Sequence, residues 1–154
     1  MDLDLRDTDF VPLSECRFQH WGERDGPPFS DIRPLSGSAA QRVWARISPI
    51  AAVVSSDAVS DGRALDLAAS DDWDASTVSD WLRSLVSDGD ERVLVCYQPG
   101  VVVSVPWDTV CAHWLVFFWT GACVYAPRGA WALVHDGDRF SFGRVSATQE
   151  LVYR

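Results

Sequence analysis

Residues 92–105, RVLVCYQPGVVVSV, decide the fold of this chain. Two β-branched, apolar runs flank Pro99-Gly100, a pair in which proline presets φ and glycine supplies a positive φ. The pattern predicts two antiparallel strands, Arg92–Gln98 and Val101–Val105, joined by a tight turn. Successive side chains of a strand point to opposite faces, and in the first strand both sets of alternate positions are largely apolar. We therefore predict that this strand is central and covered on both faces.

The next residues predict a helix that packs on these strands. Pro106 ends the second strand, and Asp108 is placed to act as the N-cap of a helix that runs to about Phe118. Apolar residues recur there at i, i+4, i+7 and i+8, the spacing of one helical face. That face consists of Val110, Trp114, Phe117 and Phe118. Gly121 is well placed to stop the helix.

Three more strands are predicted after this helix. Ala122–Ala126 leads through a Pro-Arg-Gly turn into Ala130–His135, and Asp136-Gly137 predicts a hairpin into Arg139–Arg144. The C-terminal unit therefore has the order ββαβββ. We predict an α+β fold, with an antiparallel sheet of about five strands and helices packed on it.

The chain before this unit predicts helices and short strands. Phe10–Phe18 suggests an edge strand. Ser36 or Ser38 is placed to cap a helix that ends at Pro49, and Ile50–Val54 predicts a further strand after it.

A second N-terminal helix is predicted over Ser76–Val86, with Asp74 or Ser76 at its start. Its apolar residues form an amphipathic stripe at i, i+3, i+4, i+7 and i+8. They are Val78, Trp81, Leu82, Leu85 and Val86. Asp72, Asp74 and Asp80 lie in or near the first turns, where the helix dipole favours negative charge.

Length and composition favour one domain. The chain has 154 residues, of which 47% are hydrophobic and 12% aromatic. Such a chain is long enough to bury a core, and global disorder is excluded. We predict a single domain over residues 1–154, with an acidic N-terminal part (1–91) and a sheet-forming C-terminal part (92–154).

The net charge of −9 is a property of the N-terminal part. Residues 1–91 contain 18 acidic residues and 8 arginines, whereas residues 92–154 contain 4 and 5. The densest region, residues 57–91, holds 10 acidic residues and 2 arginines. Such a field repels nucleic acid and anionic membranes and attracts a basic partner. We expect a basic protein partner and no direct binding of nucleic acid.

The sequence predicts no membrane segment. Its start, MDLDLRDTDF, lacks the basic and apolar regions of a signal peptide. Residues 109–127 carry no formal charge, but His113, Gly121 and Pro127 interrupt them, which favours helix, turn and strand over a membrane span. We expect a cytoplasmic protein, monomeric or a small homo-oligomer, with its four cysteines reduced.

Motifs for metals, cofactors and catalysis are missing from the sequence. It contains no CxxC or HxxxH spacing and no P-loop, GxGxxG or GxSxG pattern, so we expect no metal and no cofactor. Cys111, His135 and Asp136 would form a Cys–His–Asp arrangement if helix and hairpin meet. A cysteine on an apolar helix is usually inert packing, so we expect no enzyme. The alternative is a small thiol-dependent enzyme or ligand-binding domain that uses Cys111, His113 and His135.

Trp73 differs from the other tryptophans because it is flanked by Asp71, Asp72 and Asp74. A tryptophan ringed by carboxylates has the composition of an interface anchor for a basic surface. The competing interpretation is a hydrophobic staple before the helix. The predicted partner-binding residues are Asp71, Asp72, Trp73, Asp74 and Asp80.

Aromatic residues recur at a characteristic spacing in the C-terminal part. They lie in Pro106-Trp107, Trp114, Phe118, Tyr125–Pro127, Trp131, His135 and Phe140–Gly143. This spacing, over roughly a third of the chain, resembles that of bacterial immunity proteins from polymorphic toxin systems. The resemblance implies a non-enzymatic inhibitor that binds its toxin. An accessory subunit of a larger bacterial complex is the remaining alternative.

Overall fold

The computed structural model describes residues 4–15, 31–55, 63–67, 74–118, 121–128 and 130–145. Within these ranges the chain forms seven strands and four α-helices. The strands are β1 (Arg33–Pro34), β2 (Arg63–Asp66), β3 (Arg92–Gln98), β4 (Val101–Pro106), β5 (Ala122–Ala126), β6 (Trp131–His135) and β7 (Arg139–Arg144). The helices are α1 (Gly37–Ser55), α2 (Ala75–Leu85), α3 (Trp107–Ala112) and α4 (Trp114–Phe117).

All seven strands pair antiparallel in one sheet, in the order β1-β4-β3-β5-β6-β7-β2. The predicted α+β class and all five predicted C-terminal strands are confirmed. The sheet is wider than predicted because β1 and β2, from the N-terminal part, pair with β4 and β7 at its two edges. Both strands are short and polar, so neither carries the apolar alternation that predicts a strand.

β3 is central and buried on both faces, as predicted. Val93 and Val95 pack on one face, and Leu94 and Cys96 pack on the other. We call the first the aromatic face, because α2, α3 and α4 cover it with a cluster rich in large rings. These rings are Trp107, Trp114, Phe117, Phe118, Trp131, Phe140 and Phe142. The second, the α1 face, is covered by α1 and by the N-terminal segment, residues 4–15.

The strand register fixes which loops share an end of the sheet. Arg92 pairs with Pro106, and Trp131 pairs with both Ala126 and Arg144. The start of β3 therefore lies beside the ends of β4 and β5, at what we call the Arg92 end. The loop of residues 136–138 lies at the opposite end.

α1 is longer than predicted. Ser36 caps it as expected, since its Oγ accepts a hydrogen bond from Ala39 N at 3.3 Å. The prediction that Pro49 ends the helix is wrong, and so is the strand at Ile50–Val54, because the helix continues to Ser55 with Pro49 inside it. Its buried residues keep a helical spacing past the proline; they are Ala39, Ala40, Val43, Ile47, Ile50 and Val54. Burial of the last two against the sheet outweighs the lost hydrogen bond.

The N-terminal segment is not the predicted edge strand. Phe10 forms a single bridge with Leu35, and short 3-10 turns at Asp7–Asp9 and Leu13–Glu15 flank it. The rest of the predicted strand, residues 16–18, lies outside the described residues. Phe10 packs against the α1 face, and backbone hydrogen bonds from Val11 N to Pro34 O at 3.0 Å and from Ser36 N to Asp9 O at 2.7 Å also hold this segment beside β1.

The helix predicted at Asp108 begins one residue earlier and is broken. α3 starts at Trp107 after Pro106, so Asp108 lies in the first turn and is not the N-cap. At His113 the backbone leaves helical geometry, with φ −123° and ψ 34°, and α4 follows. The predicted face is nevertheless buried on both sides of the break. No helix within the described residues is long and apolar enough to span a membrane.

The two predicted hairpin turns form with different backbone geometry. In the β6–β7 loop Gly137 has φ +105°, and Asp136 Oδ1 accepts hydrogen bonds from Asp138 N and Arg139 N. Pro99-Gly100 joins β3 to β4 next to a register shift between Cys96 and Gln98. Gly100 does not have the positive φ expected of it. The residue pair predicts a turn correctly but does not determine its type.

Candidate functional site

Two of the five predicted partner-binding residues fall within the described structure. Asp74 and Asp80 belong to the amphipathic helix α2, which forms as predicted. Asp71, Asp72 and Trp73 lie outside the described residues, so the interface-anchor hypothesis for Trp73 stays a prediction.

Asp74 is the N-cap of α2. Its Oδ1 accepts hydrogen bonds from Thr77 N, Ser76 Oγ and Thr77 Oγ1, each at 2.8 Å. The hydrogen bond from the Thr77 backbone, followed by those from the two hydroxyls, lowers the pKa of this exposed carboxyl. Asp74 therefore has a structural task at the start of the helix, whatever else it contacts.

Asp80 belongs to a larger acidic surface. It is exposed on α2, one turn before Arg83, whose Nε lies 3.1 Å from Asp108 Oδ1. Asp108 N donates to Gly89 O at 2.8 Å, which joins α3 to the loop between α2 and β3. That loop carries further exposed carboxylates. We call the exposed set the acidic band: Asp80, Asp88, Asp90 and Asp108.

A cavity of about 830 Å³ opens beside this band at the Arg92 end of the sheet. Leu94 and Ser104, from β3 and β4, belong to its lining, so it lies on the α1 face. Charged residues of both signs share the lining. They are Arg33, Arg92 and Arg128, with Asp7, Asp88, Asp90 and Glu91.

Arg92 is held across the edge of the sheet by main-chain and hydroxyl oxygens. Its Nε donates to Ser104 Oγ at 3.0 Å, and its Nη2 donates to Ser104 O at 2.9 Å and to Asp31 O at 3.0 Å. Partial burial, and then the neighbouring charge of Arg33, lower the pKa of Arg92. Within the described residues no carboxylate forms an ion pair with this guanidinium.

The Cys111 thiol is in a poor environment for nucleophilic chemistry. Cys111 is fully buried on α3, and burial raises the pKa of its thiol to about 12. Its carbonyl accepts a hydrogen bond from Ser79 Oγ at 2.9 Å. A thiol with such a pKa stays protonated at neutral pH, whereas a nucleophilic cysteine needs a depressed pKa. In this geometry Cys111 is a buried residue of the hydrophobic core.

His135 lies among aromatic rings at the end of β6. Its ring centroid is 4.5 Å from that of Phe140 and 5.3 Å from that of Phe118. Burial lowers the pKa of His135, and the carboxylates of Asp136 and Asp138 oppose this shift. Asp136 uses its carboxylate to cap the hairpin turn. The helix and the hairpin do meet, through the ring contacts of Trp114 with Phe140 and of Phe118 with Phe140 and His135.

No sequence pattern predicts the cavity, and neither Asp88 nor Asp90 is among the predicted site residues. Both lie in the acidic stretch 57–91, where the charge density was the only available signal. The cavity arginines come from three distant segments, and no local pattern connects them. Their proximity follows from the pairing of β1 with β4 and of β3 with β5.

Within the described part of the chain, no cluster of three or more His, Cys, Asp or Glu side chains is arranged to hold a metal ion. Cys96, Cys111 and Cys123 are free buried thiols. Comparisons with known proteins add no relative: no family model, no curated protein and no solved structure matches this chain.

Proposed function

We propose that this chain is a non-enzymatic binding protein that captures a basic protein domain. The specific form that we propose is an immunity-type inhibitor, which binds a basic toxin domain and blocks it. The observation that carries the proposal is the acidic band, four exposed carboxylates on α2, α3 and the loop before β3, in a chain with net charge −9.

The band suits fast capture of a basic partner. Its four carboxylates lie on two helices and one loop that a backbone hydrogen bond and an ion pair connect. Among the described residues, Arg83 pairs with Asp108 and no basic side chain pairs with the other three carboxylates. Opposed surface charges raise the rate of association and make it sensitive to salt, while buried contacts slow release.

A thiol-dependent enzyme has less support. Cys111 is buried with a raised pKa, and the ring neighbours of His135 are Phe118 and Phe140. Neither group has the activated, accessible environment that catalysis requires. An accessory subunit of a larger complex would use the same acidic band, so the identity of the captured partner separates that alternative from a toxin inhibitor.

The test begins with co-expression of the tagged protein and its native neighbours, capture at low salt, and identification of what elutes as salt rises. A basic toxin domain that elutes at high salt is the expected result. The affinity of this partner is then measured against salt concentration for Asp88→Asn/Asp90→Asn. We expect the affinity to fall roughly two- to thirtyfold, with a shallower salt dependence.

The matched control is Asp136→Asn/Asp138→Asn, which removes two charges at the opposite end of the sheet. Asparagine keeps the oxygen that caps each turn, so both double variants should remain folded. The control should bind nearly as tightly as the unchanged protein. Equal affinity and equal salt dependence for both variants would show that the acidic band does not capture the partner.

A further inference from the structure

The cavity at the Arg92 end has the size and the mixed lining of a ligand site. Its volume of about 830 Å³ lies in the range of cavities that enclose small organic molecules. Leu94 and Ser104 contribute strand residues, Leu5 and Phe10 come from the N-terminal segment, and Pro127 follows β5. Four separate segments thus contribute walls, and charged residues of both signs line the cavity.

One group of charges is cationic and partly held in place. Arg92 uses Nε and Nη2 for its hydrogen bonds to Ser104 and Asp31, which orients the guanidinium, and its Nη1 has no hydrogen-bond partner among the described residues. The Arg33 guanidinium carbon lies 4.2 Å above the centroid of the Phe10 ring, and Arg33 Nη2 lies 3.4 Å from Asp7 Oδ1, so stacking and an ion pair orient this side chain as well. Arg128 completes the group. Oriented guanidinium groups are the usual protein donors for a carboxylate.

The other group is anionic and incompletely satisfied. Asp88 and Asp90 are exposed where the acidic band reaches the cavity. Glu91, which follows them, has a buried Oε1 without a hydrogen-bond partner among the described residues. A buried carboxylate oxygen of this kind costs free energy unless it accepts a hydrogen bond. A protonated amine in the cavity would supply hydrogen-bond donors and the opposite charge to the exposed carboxylates of Asp88 and Asp90.

We propose that this cavity binds an amino-acid-like zwitterion, with its carboxylate on Arg92 and Arg33 and its ammonium on Asp88 and Asp90. A ligand with only a negative charge is repelled by the carboxylates of the lining, and a ligand with only a positive charge is repelled by the arginines. A doubly charged phosphate is less suited than a carboxylate, because the whole chain already carries a net charge of −9. This site does not depend on the proposed protein partner.

The experiment uses small probes, so its outcome is separate from that of partner capture. The purified protein is titrated with the ω-amino acids from 4-aminobutanoate to 8-aminooctanoate, which scan the spacing between the two charges. Hexanoate and hexylamine each carry one of the charges. NMR shifts of the Arg92 side-chain and Leu94 backbone N–H groups report binding. We expect one ω-amino acid to bind at least about fivefold more tightly than either single-charge probe.

Variants then locate the site. Arg92→Gln should weaken binding of the best probe about tenfold or more, and Arg128→Gln should weaken it to a smaller extent. Arg128 makes no hydrogen bond to another described residue, so its replacement tests the site even if Arg92→Gln unfolds. Arg144→Gln is the control, since this exposed arginine does not line the cavity. The proposal is overturned if no zwitterion exceeds hexanoate and hexylamine, or if binding survives in both cavity variants.

Discussion

The two faces of the sheet share the same strands but are closed in different ways. On the aromatic face, Phe140 has its ring centroid within 6.1 Å of those of Trp81, Trp114, Phe118 and His135. On the α1 face, a single long helix packs small and aliphatic residues on the strands. The first face is closed by packed aromatic rings from three helices and from β6 and β7, whereas the second is closed mainly by one helix.

This difference between the two faces separates the residues that stabilise the fold from those that we expect to bind. In the described part of the aromatic face, the buried side chains are almost all apolar, apart from His135. Among the described residues, the α1 face has a cavity at the Arg92 end, which the N-terminal segment and three arginines border. We infer that substitutions on the aromatic face act mainly on folding, while changes at the open end of the α1 face act mainly on binding.

The largest expected effect is from Phe140→Ala on the aromatic face. Phe140 is fully buried, and its loss leaves a cavity among rings that cannot collapse into it. We expect the free energy of unfolding, from urea denaturation followed by circular dichroism, to fall by about 3–5 kcal/mol. Ile47→Ala is the counterpart on the α1 face and should cost less, because a single helix can shift toward the sheet. An equal or larger cost for Ile47→Ala would contradict the contrast between the faces.

A smaller effect, of opposite sign, is expected from Pro49→Ala in α1. The substitution restores an N–H that can donate to the carbonyl of Ala45 and removes a clash within the helix. We expect the free energy of unfolding to rise by roughly 1–3 kcal/mol. Ser48→Ala, at the adjacent exposed position, should change it by less than about 0.5 kcal/mol. A loss of stability in Pro49→Ala would mean that the α1 face needs the proline geometry.

The contrast between the faces also explains how much of the fold the sequence predicts. The β6–β7 hairpin is predicted almost to the residue, because Asp136-Gly137 and the neighbouring strands give local signals for local contacts. α1 is predicted too short, because its second half depends on contacts with distant strands. The low helix propensity of Pro49 favours an end of the helix at that residue, and the burial of Ile50 and Val54 outweighs it. The burial of a residue against distant strands cannot be read from its neighbours in sequence.

The candidate site is less predictable than the fold for the same reason. The dense charge of residues 57–91 predicts an acidic surface, and the structure joins Asp88 and Asp90 to Asp108 from the C-terminal part. The predicted cap at Asp74 is confirmed, and it gives that carboxylate a structural role. The grouping of Arg33 with Arg92 requires the sheet to form first. The residues of such a site do not lie at a characteristic spacing in the sequence, so no motif predicts them.

The smallest expected effect concerns pH and His135, which is buried on the aromatic face. Burial lowers the pKa of His135 below its ordinary value of 6.5. As pH falls through 6.5, the unfolded chain takes up a proton at this residue while the folded chain does not, so the unfolded state is favoured. The decline continues until pH reaches the lowered pKa of the folded state and is then complete. Above 6.5 the histidine is neutral in both states and contributes no pH dependence.

Urea denaturation at pH 7.5, 6.5, 5.5 and 5.0 measures this decline. Asp9 and Asp74, whose pKa values lie below 3.8, stay ionised over the whole window and do not add to it. His135→Gln should flatten the dependence, while His113→Gln, which leaves His135 in place, should keep it. If His135→Gln retained the full decline, the ring cluster would not be the origin of the acid sensitivity. The aromatic face would then tolerate a charged imidazole, and its contrast with the open α1 face would be weaker than the packing indicates.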